Sequence, residues 1–460
     1  MIRLTILLML TAALSGCASL SDADDFAASA PDHSSRPKIV GASGPLSARA
    51  TRRLLDKIAP EPGESRLLRR HLTIEQAVAG TPLIADNRTQ LLRDGPDTFA
   101  AMFAAMKGAK HHINLEYYIL EDVESGGTPL SDLLLAKRRE GVAVHVIYDS
   151  YGSGSTPSEF FDKLKAAGIH LLAFNPVNPL ETRTSYSLND RDHRKILVVD
   201  GATAIVGGIN LSTTYESNRF GRAAAPQTEA ADHWRDTDLV IEGPAVAELQ
   251  HLFVEHWMSQ NGPPLDDATF FPPVPPKGNE VVRIIGSTPD NAIPRYYVTL
   301  VSAIRTAERS VWLSAAYFVP THQEKEDLED AARRGVDVRL LLPAKSDSDR
   351  ALAVAHSHYE DLMEAGVKIY EVANAVLHSK TVVIDGVWSA VGSSNFDQRS
   401  VLFNDEVDAV VLGDKTAEAM EEMFRQDIAK ATLVDLAQWR DRPFSERIDE
   451  FFSGLWQRLL

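Results

Sequence analysis

The hydrophobic and polar pattern of this chain repeats itself. "AMKGAKHHINLEYYIL" (105–120) is a helix end followed by a strand with alternating apolar positions, and "AIRTAERSVWLSAAYFV" (303–319) gives the same pattern. "AKRREGVAVHVIYDS" (136–150) and "DAARRGVDVRLLLPA" (330–344) each show a basic helix end, a glycine stop and a β-rich run. "LKAAGIHLLAF" (164–174) and "LMEAGVKIYEV" (362–372) match in the same way. Each half therefore reads strand–helix–strand–helix–strand. That order predicts an α/β domain with a largely parallel sheet, present twice.

The likeness sharpens downstream. "HRKILVVDGATAIVGGIN" (193–210) and "HSKTVVIDGVWSAVGSSN" (378–395) share eight identities in eighteen positions, where unrelated segments share roughly one. His193 and Lys195, like His378 and Lys380, are separated by one residue in an apolar run. In a strand, imidazole and ammonium then project side by side. Asp200-Gly201 and Asp385-Gly386 predict tight turns into a returning strand, with the aspartates fixing the turn. Each return ends in glycine (Gly207, Gly392) and then asparagine (Asn210, Asn395). Glycine admits backbone N–H groups close to an anion, and asparagine adds a side-chain donor. Two such copies facing each other offer two imidazoles, two lysines and two asparagines. That set suits a phosphodiester, whose oxygens repel a nucleophile until their charge is neutralised.

The 460 residues suggest two to three domains, and 44% hydrophobic with 24% charged residues is a globular composition. A first domain is expected over 61–262 and a second over 280–435, joined by a linker (263–279) within the proline-rich "NGPPLDDATFFPPVPPKGN". Residues 17–60 begin with a stretch rich in Ser, Ala, Asp and Pro and predict a flexible tether. The formal net charge of −17 weighs against a nucleic-acid partner and against unaided binding to anionic lipid. Residues 1–16 have the layout of a secretion signal. Leu14-Ser15-Gly16-Cys17 resembles the lipobox of bacterial lipoproteins, which implies cleavage before Cys17 and lipid on that cysteine. A lipid-anchored protein of the bacterial cell envelope, facing the periplasm, is the expectation. At the other end, 444–460 places Phe444, Ile448, Phe451, Phe452, Leu455 and Trp456 on one helical face, for docking or for a lipid interface.

H-x-K-x4-D, then six residues and G-[GS]-x-N, in duplicate, resembles the phospholipase D superfamily. "DGVWSAVGSSNFDQRSVLFNDEVDAVV", "NLEYYIL" and "YDSYGS" are similar to bacterial cardiolipin synthases. The resemblance implies two similar α/β sandwich domains related by a pseudo-twofold, with the active site between them. It implies a covalent phosphohistidine on one histidine, with the other as general acid and base. Following the common family order, His193 is the nucleophile and His378 the acid/base; the symmetric motif leaves the reverse open. Lys195, Lys380, Asn210 and Asn395 would hold the phosphoryl oxygens without metal or cofactor, since the lysines supply the charge. An acidic residue after the motif orients the imidazole in this family. Glu406, 28 positions beyond His378, fits that role, and its first-half counterpart is Asp236. Ser393 replaces Gly208 and offers a contact its counterpart lacks. The implied partner is a membrane phospholipid such as phosphatidylglycerol. Transfer to a second lipid and hydrolysis to phosphatidic acid share the same first step, and the motif does not choose between them. His111-His112 and His356-x-His358 lack the carboxylates and cysteines that a metal site needs.

Overall fold

A computed structural model describes residues 37–58, 67–176, 189–216, 234–265 and 269–443, with residues 23, 25 and 26. The signal segment, Cys17, the insertion around 220–233 and the terminal helix expected at 444–460 lie outside the described residues. Among the described residues, no helix is long and apolar enough to cross a membrane.

The first half runs β1 (Leu83–Arg93), α1 (Asp94–Gly108), β2 (His112–Tyr117), α2 (Leu130–Arg139), β3 (Ala143–Asp149), α3 (Ser158–Ala166) and β4 (His170–Phe174). It continues with β5 (Lys195–Val199), β6 (Thr203–Gly207), β7 (Thr237–Glu242) and α4 (Val246–Ser259). The second half repeats this order: β8 (Glu280–Ser287), α5 (Arg295–Thr306), β9 (Ser310–Ala315), α6 (His322–Arg333), β10 (Asp337–Pro343), α7 (Asp349–Glu364) and β11 (Lys368–Val372). Then come β12 (Lys380–Ile384), β13 (Trp388–Gly392), β14 (Asn404–Leu412) and α8 (Asp414–Ile428). Spatial order is β1-β7-β6-β5-β2-β3-β4 in one sheet and β8-β14-β13-β12-β9-β10-β11 in the other. The duplication is thus complete in topology.

Each sheet is mixed rather than largely parallel. Within each repeated set of seven strands, β2, β3 and β4, and β9, β10 and β11, run parallel, because helices connect them, and the rest are antiparallel. The motif itself forms an antiparallel hairpin: Val199 pairs with Thr203 and Ile384 with Trp388, and the three residues between them begin with Asp-Gly. Asp200 and Gly201 have φ of 52° and 58°, and Asp385 and Gly386 have 54° and 66°, the left-handed pair that such turns require. Asp200 accepts N–H bonds from Lys110, His111 and His112 at 2.7–2.9 Å. Asp385 accepts three more from Glu308, Arg309 and Ser310 at 2.7–3.0 Å. The motif aspartate therefore pins the hairpin to the start of its neighbouring strand.

The two sheets pack face to face. Ile196, Val198 and Val206 from one meet Val383, Val391 and Ala409 from the other in a single buried cluster. Leu197 and Val199 point the opposite way, into the cluster made with α1, α2 and α3. With helices outside and a second sheet inside, both faces of β5 are buried, which is why it reads as an unbroken apolar run. Strand β1 joins the two sheets: Arg88–Arg93 pair with β7, while Ile84 and Asn87 pair with β8.

Two expected boundaries move. Ile39–Gly41 forms a strand on β1, and a helix spans Ala48–Ile58, so folded structure replaces the tether over that stretch. Ile39, Leu67, Leu68, Leu72 and Leu83 belong to the hydrophobic core of the second half, against Trp388 and Leu300. The segment before about residue 86 is therefore part of the second unit, although it precedes the first in sequence. The linker is also fastened: Phe270 is buried, with its ring stacked on His112 at 4.4 Å.

Removing the Asp385 carboxylate leaves the amides of Glu308, Arg309 and Ser310 without their acceptor. Asp385→Ala should lower the unfolding free energy by about 2–3 kcal/mol, measured by urea denaturation. An unchanged midpoint would contradict the pinning role.

Candidate active site

Two short pairings between the halves set the site. Arg191–Asp192 runs parallel to Asn404–Asp405, and Trp234–Arg235 runs parallel to Val376–Leu377. One residue further on, each register brings a motif histidine beside an acid of the other half. The His193 N–H donates to the Asp405 carbonyl at 2.9 Å, and the His378 N–H to the Arg235 carbonyl at 2.8 Å. His193 Nδ1 then lies 3.0 Å from Glu406 Oε2, and His378 Nδ1 lies 2.7 Å from Asp236 Oδ2. Glu406 and Asp236 are thus exchanged: neither acid serves the histidine of its own half. The reason is the parallel pairing, which seats each histidine segment on the opposite half's acid-bearing segment. With Nδ1 engaged by a carboxylate, Nε2 is the nitrogen left for reaction at His193, while at His378 the Lys380 Nζ also lies 3.1 Å from Nε2.

Each acid is held in turn. Glu406 accepts from Asn404 Nδ2 at 3.0 Å and from Ser393 Oγ at 2.5 Å. At the matching first-half position, a Cβ on Gly208 would stand 2.3 Å from Asp236 Oδ1. The shorter acid sits against the backbone where the longer one rests on a serine. Asp236 accepts from the Thr237 N–H at 2.7 Å and from the Tyr215 hydroxyl at 3.2 Å. The Tyr215 hydroxyl also lies 2.9 Å from His378 Nδ1.

Both histidines line one cavity of about 320 Å³, together with Asn210, Asn395, Tyr118, Tyr215, Trp234, Tyr317, Asp347 and Arg399. Lys195 and Lys380 lie immediately behind that wall, 1% and 5% exposed, and neither lines it. The Lys195 Nζ donates to the His193 carbonyl at 2.6 Å, and the Lys380 Nζ stands 2.9 Å from His378 Nδ1. Gly207 and Gly392 also lie away from the cavity lining. They pair with Asp238 and Asp408, and a Cβ would come 2.2 and 2.0 Å from those carboxylates. These glycines make room for buried acids, not for an approaching anion. Asp238 accepts the Ile209 N–H at 3.0 Å, and Ser394 donates to Asp408 at 2.5 Å, so both acids brace the loops that carry the asparagines.

Burial dominates the electrostatics. It holds the His193 imidazole well below its ordinary value, with Lys195 and Lys380 adding to the effect. His378 is lowered by burial and then by Lys380, with Asp236 opposing. Burial pushes Lys195 down to about 7 and Lys380 to about 8. It pushes Glu406 up to about 7 against the pull of Lys195. A cavity with reactive imidazoles and loosely held lysine protons is prepared to receive an anion.

The second layer below the site is ionic. Among the described residues, Glu116, Asp192 and His256 have donor atoms close enough for a metal ion. Glu116 is already bridged by Arg194 at 3.1 Å and His256 at 2.8 Å. His112 is buried in β2 against Gln250, and His356 pairs with Glu371 at 3.3 Å.

Sequence reasoning missed Tyr215, Trp234, Asp347 and Arg399. Tyr215 sits just before the insertion and has serine, Ser400, at the matching second-half position, so repetition gave no signal. Tyr317 occupies the place of Ile119, and Tyr118 that of Ala316, so repetition did not mark it either. Each ring stands edge-on to its own half's histidine, Tyr118 to His193 at 5.1 Å and Tyr317 to His378 at 6.2 Å. Tyr117, next to Tyr118, is core.

The family described as "Cardiolipin synthase, PLD-like domain" matches residues 102–257 and 300–428. The chain is 35% identical over 414 residues to a cardiolipin synthase of Geobacillus kaustophilus, covering 88% of this chain and 78% of that one. It is 36% identical over 387 residues to the cardiolipin synthase of Geobacillus thermodenitrificans, covering 82% and 74%. The fold is similar to a phosphatidylserine synthase of Haemophilus influenzae, with TM-score 0.61 at 11% identity, covering 84% of this chain and 96% of that one. The exchanged histidine–acid pairs thus lie within a sequence that matches on both sides of the linker, and the chain belongs to the cardiolipin synthase family of phospholipase D-like proteins.

Proposed function

We propose that the protein is a phosphatidyltransferase that makes cardiolipin and glycerol from two phosphatidylglycerols through a phosphohistidine at His193. The observation that carries this reading is the convergence of His193 and His378 on one cavity, each oriented by an acid of the opposite half. His193 Nε2 attacks phosphorus, and the bond to the glycerol oxygen breaks. The protonated His378 imidazole gives that oxygen its proton, so glycerol leaves as the neutral alcohol and His378 is left neutral. His378 next takes the proton of a hydroxyl on the second phosphatidylglycerol. That oxygen attacks phosphorus, the phosphorus–nitrogen bond breaks, and His193 is regenerated. Lys195 and Lys380 supply positive charge from behind the imidazoles, and Asn210 and Asn395 face the phosphoryl oxygens from the cavity wall. Attachment to the envelope through lipid on Cys17 would keep the cavity near its substrate.

The full chain incubated with phosphatidylglycerol vesicles should release glycerol and form cardiolipin, resolved by mass spectrometry. Phosphatidic acid as the sole lipid product would replace transfer with hydrolysis. His193→Ala should reduce turnover by about 10⁴-fold or more, and retained activity would move the covalent step elsewhere.

Anion binding should also draw protons onto the site. Lys195 and Lys380, pushed down to about 7 and 8, return toward their charged forms beside a phosphate. Titration with inorganic phosphate at pH 8, in buffers of different ionisation enthalpy, should therefore show net proton uptake. Zero uptake would remove the lysines from phosphate binding.

A further inference from the structure

The cavity is electrically lopsided. On the His193 side, Arg399 and Arg191 line the cavity, and their guanidinium charges oppose burial and Asp149, which push the Tyr118 hydroxyl up. On the His378 side stands a carboxylate, Asp347. The Tyr317 hydroxyl, whose ring faces His378 edge-on, donates to the two Asp347 oxygens at 2.7 and 2.9 Å. Beyond Tyr317, Asp347 accepts from the hydroxyl of its neighbour Ser346 at 3.3 Å. The helix that follows is capped by Ser348, whose hydroxyl accepts the Ala351 N–H, and Asp347 forms no ion pair among the described residues. Asp397, the other acid of the cavity wall, is occupied in capping the short helix at Gln398–Leu402.

Resting on the transfer reading above, we propose that Asp347, steadied by Tyr317, recognises the hydroxyl groups of the polyol that leaves from and enters at the His378 side. In-line attack by His193 puts the departing alcohol beside His378, and the incoming alcohol takes the same place in reverse. A glycerol headgroup is neutral and offers adjacent hydroxyls. The two oxygens of one carboxylate can accept from both, while an anionic headgroup at that position is repelled. A site built to hydrogen-bond a hydroxyl rejects an analogue that lacks it, because its polar groups are left unpaired. Asp347 thus makes one side of a duplicated site a polyol pocket.

The test uses the full chain, phosphatidylglycerol vesicles, and equal concentrations of deuterated glycerol or 1-propanol as acceptor. Labelled phosphatidylglycerol and phosphatidylpropanol are quantified by mass spectrometry. The unaltered protein should favour glycerol, and Asp347→Ala should lower the glycerol-to-propanol ratio by about tenfold. Asp347→Asn, which keeps the shape, should lower it as well, and Tyr317→Phe should do so by a smaller factor. A ratio within about twofold of the unaltered protein in both Asp347 variants, with transfer intact, removes this inference alone. If the unaltered protein transfers to neither alcohol and yields phosphatidic acid only, the transfer reading falls and this inference falls with it.

Discussion

Everything at this site depends on a backbone pairing that crosses from one half of the chain to the other. Two residues of each histidine segment align with two residues of the opposite acid segment, and the next position in register is the histidine–carboxylate contact. A histidine oriented by its own half could survive some shift between the domains. Here, orientation and domain docking are one event: sliding the sheets past each other by a single residue would part both imidazoles from both acids. The apolar layer between the sheets, built from residues such as Val198, Val206, Val391 and Ala409, fixes that docking by close packing. The same layer belongs to the strands that hold Lys195 and Lys380.

The electrostatic character follows from this burial. Two ammonium groups that are nearly inaccessible to water are costly unless charge answers them. Glu406 and Asp236 answer in part, and their pull raises the lysines against the larger effect of desolvation. Glu406 is itself pushed upward, so positive and negative groups each sit away from their most charged state. An arriving phosphodiester adds negative charge, which favours the protonated lysines. Preorganisation of this kind acts without reorientation at the moment of reaction, because the dipoles and charges are already in place.

The duplication, both motif histidines, the motif lysines and the terminal asparagines were legible in the sequence because repetition marks them at a constant spacing. The Asp-Gly turn was legible because only a few residue types accept its left-handed backbone. Three things were not. The sheet's mixed direction was hidden, since short buried runs look alike whichever way they point. The exchange of Glu406 and Asp236 was hidden too, because spacing along a chain says nothing about which half an acid faces. Ile39, Leu67, Leu68 and Leu72 defeated boundary reading for a similar reason: chain order placed them with the first unit, while their apolar contacts are in the second. Pairing between distant segments decides all three, and pattern within a window does not carry that information.

Gene duplication begins with two equal halves, yet one phosphorus atom can bond to only one nucleophile at a time. A site that transfers a group must therefore tell its two sides apart. The conserved features of the repeat cannot do this, because they are the same on both sides. The differences can. Ser393 supports a long acid where Gly208 admits a short one, Tyr215 touches His378, and no described group touches His193 in the same manner. Arg399 and Arg191 add positive charge near His193, while Asp347 adds negative charge beyond His378. On the proposed reading, the phosphoryl group is drawn toward one side, and the hydroxyls of the headgroup are met on the other. The symmetric residues make the chemistry available, and the asymmetric ones give it a direction.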